Sequence, residues 1–87
     1  MNHDKIRRIA DRLKRNIRNR EVGVDGRTRI TLAGLKDYDH ESALRGIEEG
    51  TGRPRDTWTE YEWEHIQDSC TARLTAIREL EEEGWED

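Results

Sequence analysis

Phenylalanine is absent from this chain, and hydrophobic residues of all kinds make up only 31 % of it against 41 % charged. A core built without that ring must be small. An 87-residue chain buries roughly 60–65 % of the surface that its unfolded form exposes, so stability is thin. One domain, residues 1–87, is expected. Association with a partner or with a second copy is an efficient way to add buried area, so a homodimer or a partner-bound protein is predicted. Cysteine is almost missing as well. Cys70 alone excludes an intramolecular disulfide framework, and the remaining ligands of a zinc site are lacking. A reducing, cytoplasmic setting fits, in a bacterial, archaeal or phage-infected host cell. No stretch approaches a membrane span, and the start Met-Asn-His-Asp-Lys has no apolar signal core. No membrane partner is predicted, and nothing in the chain calls for a cofactor.

What the chain does have is charge, sorted by position. Residues 1–20 carry eight Lys/Arg against Asp4 and Asp11, a net of +6. Residues 59–87 carry ten Asp/Glu against Arg73 and Arg78, a net of −8. The ends attract each other and present opposite fields to any partner, which points to binding rather than chemistry.

The periodicity predicts an α+β fold that is mainly α: a helix, a short β-hairpin, a short helix and a long C-terminal helix. Ile6, Ile9, Ala10, Leu13 and Ile17 draw one apolar stripe over 4–20. Asp25-Gly26 suits a two-residue turn, and alternation from Arg27 to Leu32 predicts a hairpin over 21–33. Asp37 or Asp39 can cap a short helix running to about Glu49, with Ala43, Leu44 and Ile47 turned inward. Asp56 or Thr57, with Glu60 completing a capping box, predicts the start of a last helix that ends at Gly84. Trp63, Ile66, Cys70, Ile77 and Leu80 form its apolar stripe. Ser69, Ala72 and Ala76 form a second, small-residue stripe where another element can approach closely. The first helix is expected to lie antiparallel on this one, against Ile66, Cys70, Leu74 and Ile77.

Several chemistries are set aside, and no enzymatic activity is predicted. His65 lies five positions from Cys70 and so on another side of the helix, which excludes a Cys–His pair between them. Glu62-x-x-His65 is half of a helical dimetal motif without the other half. Asp37-x-Asp39-x-Glu41 with Glu48 imitates a calcium loop but has Ser42 where Gly is needed, and helix capping explains it more simply. Gly50-Thr-Gly52 lacks the ending of a phosphate loop.

Two binding readings follow. Arg27-Thr-Arg-Ile-Thr-Leu32, a short helix, Thr51-Gly-Arg-Pro-Arg55 and a further helix together resemble the ribbon-helix-helix family of DNA-binding repressors and antitoxins over residues 27–66. The resemblance implies an obligate dimer whose paired strands read the major groove, here through Arg27, Arg29 and Thr31. It also implies that the start of the second helix near Asp56 lies against phosphate.

The other reading, which the charge distribution favours, is a non-enzymatic protein-binding module. The basic first helix neutralises part of the acidic last one, and surplus carboxylates dock on a cationic surface of another protein. The candidate residues are the rows Glu60, Glu64, Asp68 and Glu79, Glu82, Glu83, Glu86, flanked by Trp58, Tyr61 and Trp85 as interface anchors. Small acidic inhibitors from phages and mobile elements, anti-CRISPR and anti-restriction proteins among them, offer an analogy of size and charge.

Overall fold

Two long helices, packed side by side and bridged at one edge by shorter ones, make up the structure, a computed structural model that describes residues 2–87. In chain order α1 is His3–Arg18, α2 Leu32–Lys36, α3 His40–Thr51 and α4 Glu60–Glu82, with a 3-10 turn at Arg55–Thr57 before α4. Each start has a side-chain acceptor for its orphan amides. Asn2 accepts from the Lys5 amide, Thr31 from Gly34, and Asp39 from Glu41 and Ser42. Before α4, Thr59 and Glu62 form a reciprocal capping box. That box lies two residues beyond the expected one. Thr57 instead closes the 3-10 turn, its hydroxyl donating to the Pro54 carbonyl at 2.6 Å.

No β-strand forms among the described residues, so the expected hairpin, and with it the α+β class, is corrected to a helical fold. The chain does double back over 21–30, with a single antiparallel bridge between Val22 and Arg29. The Asp25 carboxylate accepts from the Arg27 and Thr28 amides, both at 2.9 Å, and from the Thr28 hydroxyl at 2.6 Å. This Asx-type turn satisfies the backbone locally. Val22 and Val24 stay exposed with no helix beneath them, so a ladder has nothing to pack on. Thr31 begins α2, a helix that the alternating pattern concealed. A ribbon of the kind implied by the DNA-binding resemblance therefore has no strand here.

α1 and α4 run parallel, not antiparallel. Ile6 and Ala10 meet Ala72 and Ala76, whereas Ile17 meets Leu80, so the numbering rises together along both helices. The seam follows the alanines because Ala72 and Ala76, both 0 % exposed, let the α1 backbone come close. Leu74, expected in this seam, is 58 % exposed. Parallel packing brings like dipole ends together, and ion pairs oppose that cost. Lys14 and Arg18, late in α1, meet Glu79 and Glu83 at the end of α4.

α2 covers one flank of this pair, adding Leu32 and Leu35 to the core. The C-terminal Asp87 carboxylate accepts from the Leu32 amide at 2.8 Å and Ala33 at 3.0 Å, which fastens the chain end over the start of α2. Arg73, which interrupts the α4 stripe, donates to the Leu35 carbonyl at 2.9 Å and stacks 4.1 Å from the Tyr38 ring centroid.

The molecule measures 40 × 31 × 17 Å. It exposes 6211 Å², where a globular monomer of its mass exposes about 5,350 Å². The flat, elongated shape accounts for the difference.

Candidate functional site

The acidic residues of α4 divide into two groups with different surroundings. Toward the C-terminus, Glu79 accepts from Arg7 Nη1 at 2.7 Å and from Lys14 Nζ at 2.8 Å. The Arg7 contact, followed by that of Lys14, holds its carboxyl down to about 2. Glu83 is paired with Arg18, which lowers its pKa as well. Among the described residues Glu82 has only Arg78 within salt-bridge distance, at 3.8 Å. Glu79 and Glu83 are thus taken up by α1.

At the other end of α4, Glu60 and Glu64 are exposed. Glu60 has no cation within salt-bridge distance among the described residues. Tyr61 stands beside them, 75 % exposed, with Lys5 Nζ 5.8 Å from its ring centroid. Asp68, the third member of the expected row, is only 3 % exposed and pairs with Lys5 at 3.8 Å, so the accessible row is the first two. On the far side of Tyr61 an apolar groove of about 350 Å³ opens between α3 and α4, lined by Ile47, Trp58, Ile66 and the Tyr61 ring. Ile47, expected inside, is 38 % exposed at its rim.

Trp58 lies 7 % exposed and forms the groove wall instead of projecting. Its indole donates to the Arg53 carbonyl at 3.1 Å and its ring tilts against Trp63, with centroids 5.0 Å apart. Trp85 is half-buried against the Ile17–Leu80 cluster at the opposite end. The groove therefore has one projecting ring, Tyr61, on a packed aromatic base.

Two arginines make that base rigid. Arg53 donates to both Glu62 oxygens, at 3.0 and 3.1 Å, and to the Thr57 carbonyl at 2.9 Å. Arg55 grips Glu41 at 2.8 and 2.9 Å and reaches Glu48 at 2.8 Å. These bidentate contacts lower the pKa of all three glutamates. The segment Thr51–Arg55, which carried most of the DNA-binding resemblance, is thus a clamp between α3 and α4. Glu62, half of the metal-like pair with His65, is held by the same clamp. Of the other DNA-reading candidates, Arg27 and Arg29 are exposed in the 21–30 loop, while the Thr31 hydroxyl caps α2.

Sequence spacing missed one constellation. His65 does not meet Cys70, but His40 does: its Nδ1 lies 3.7 Å from the sulfur and 3.0 Å from the Tyr38 hydroxyl, which is itself 3.5 Å from the sulfur. Burial, then the contact with Cys70, pushes the Tyr38 phenol up to about 12. These contacts fasten the α2–α3 corner to the middle of α4. A histidine thirty residues away can be placed only by the fold.

The N-terminal end of α4 thus presents exposed carboxylates and one exposed aromatic ring beside an apolar groove, and no helix among the described residues is long and apolar enough to cross a membrane. Comparison with protein-family models, with curated proteins and with solved structures finds no match for this chain.

Proposed function

We propose that this protein is a non-enzymatic protein-binding module that docks the N-terminal end of α4 on a basic surface of its target. The observation that carries the reading is Tyr61, exposed between the Glu60–Glu64 row and the groove of Ile47, Trp58 and Ile66. Tyrosine is favoured where interfaces concentrate their energy, and flanking carboxylates steer a cationic partner and set its orientation. In its narrower form the target surface is one that otherwise holds nucleic-acid phosphates, and the protein is an inhibitor or adaptor of the anti-defence kind. A second copy covering the groove is the competing occupant.

The test is retention of host-lysate proteins by the immobilised chain, against a variant carrying Glu60→Lys, Glu64→Lys and Tyr61→Ala. Expected is a basic, nucleic-acid-binding protein held by the wild type, released by heparin and missing from the variant. Equal retention by both forms would rule the reading out. Sedimentation equilibrium of both forms reads the homodimer, expected to weaken with Tyr61→Ala if the groove is its interface.

A further inference from the structure

α1 has a second face. Its apolar stripe is buried on α4, and four of its cations are taken: Lys5 by Asp68, Arg7 by Glu79 and Asp11, Lys14 by Glu79, and Arg18 by Glu83. Arg8, Arg12 and Arg15 are not. They are exposed, and no carboxylate lies within salt-bridge distance of them among the described residues, in a chain with twenty Asp/Glu. Spaced at i, i+4 and i+7, they form one line along the helix, about 10 Å from first to last. That line borders an open groove of about 570 Å³, whose lining includes Ile9, His65 and Asp11. Asp11 is already bound by Arg7 at 2.8 Å.

We infer that this face of α1 binds the phosphate backbone of a nucleic acid. Guanidinium groups recognise phosphate through paired N–H donors, and a line of about 10 Å spans about three phosphate steps of 3.4 Å along a strand, within reach of flexible arginine side chains. A membrane surface is disfavoured because the apolar face of α1, which would enter the lipid, is already occupied by α4. Tyr61, with Glu64 and Asp68, borders only the Arg8 end of the line. An acidic protein is disfavoured because Arg12 and Arg15 have no projecting aromatic or large apolar anchor beside them. Backbone binding needs no such anchor. The inference goes beyond the proposed function and uses none of its docking residues. Together they describe a protein able to touch a cationic target and the nucleic acid beside it.

Fluorescence anisotropy of a labelled 20-bp duplex of mixed sequence tests it, with Arg8→Gln, Arg12→Gln and Arg15→Gln combined in one variant. A second variant, Lys36→Gln with Arg45→Gln and Arg78→Gln, makes the same change in net charge at exposed positions elsewhere. Circular dichroism verifies that both fold. Expected is binding at 50 mM salt that weakens roughly 40-fold by 200 mM, as three phosphate contacts require. The α1 variant loses it and the charge-matched variant keeps it. The inference fails if the wild type does not bind at 50 mM salt, or if both variants lose binding equally. It fails too if polyglutamate competes as well as unlabelled duplex, which would make the face a reader of acidic protein.

Discussion

The two ends of α4 carry similar carboxylates and lead different lives. At the C-terminal end Glu79 and Glu83 are held by three cations of α1, over a core where Leu80 is 0 % exposed. At the N-terminal end Glu60 and Glu64 face outward beside a tyrosine left 75 % exposed. A count of charges cannot separate these groups, because the register of α1 along α4 does. Parallel packing puts Arg7, Lys14 and Arg18 beside the late acids of α4. Among the early acids Asp68 is taken by Lys5 and Glu62 by Arg53, while Glu60 and Glu64 stay exposed at the surface.

The strongest way to break this comparison is to truncate one apolar side chain at each end. Leu80→Ala removes a fully buried group and opens a cavity between α1, α2 and α4, with an expected cost of about 2–5 kcal/mol. For a domain of this size that lowers the melting temperature by roughly 10 °C or more. Tyr61→Ala, on an exposed ring, is expected to change stability by less than about 0.5 kcal/mol. Thermal melts followed at 222 nm measure both. Similar losses from the two variants would mean that the N-terminal end is as much a part of the core as the other.

Acid titration sharpens the comparison with charge alone. Glu79 ionises at about 2 in the fold against an ordinary 4.5. A depressed carboxyl stabilises the fold fully above its unfolded pKa, and the contribution disappears as pH falls through the folded value. The wild type is therefore expected to lose stability progressively between about pH 4.5 and pH 2. Glu79→Gln is less stable than wild type at pH 7, with a difference that narrows across that window and is nearly gone at its foot. Glu83 beside Arg18, Glu41 and Glu48 beside Arg55, Glu62 beside Arg53, and Asp25, Asp39 and Asp87 are depressed as well, so the variant keeps a smaller slope of the same sign. A difference independent of pH would show that the Arg7 and Lys14 contacts do not carry the effect.

Much of the fold was legible in residue order, the contrast between the two ends of α4 was not, and the parts that were missed share a cause. The amphipathic stripe of α1, the Asp39 cap and the stop at Gly84, whose φ of +73° suits glycine, are local signals and the structure contains them. So is the small-residue stripe at Ala72 and Ala76, read correctly as a place of close approach. What it touches was not legible, because side-chain pattern on one helix does not fix the direction of its neighbour. The hairpin expectation failed for a related reason. Alternation from Arg27 to Leu32 describes a strand only if something covers its apolar side, and here Thr31 finds a better role as a cap. The clamp of Arg53 and Arg55 was hidden as well, because their carboxylates, Glu62, Glu41 and Glu48, are brought to them by the turn between α3 and α4. Among the docking candidates, Asp68 and Trp58 could be told from Glu60 and Tyr61 only by burial.

The smallest expected effect contrasts the same two ends through the helix dipole. Glu60 opens α4, where a negative charge is favoured, and Glu82 closes it, where one is disfavoured and, among the described residues, only Arg78 at 3.8 Å offers relief. Neutralisation is therefore expected to act with opposite signs. Glu60→Gln lowers the melting temperature by about 1–2 °C at low salt, and Glu82→Gln raises it by a similar amount. Both shifts shrink at 0.5 M salt, where exposed charges are screened within a few ångströms. The sign matters more than the size. A carboxylate whose removal destabilises the fold only slightly while abolishing partner capture belongs to recognition, and Glu60 is expected to meet both conditions. Should Glu60→Gln cost as much stability as Glu79→Gln, the N-terminal row would be a folding device as well, and the division of α4 into two ends would be wrong.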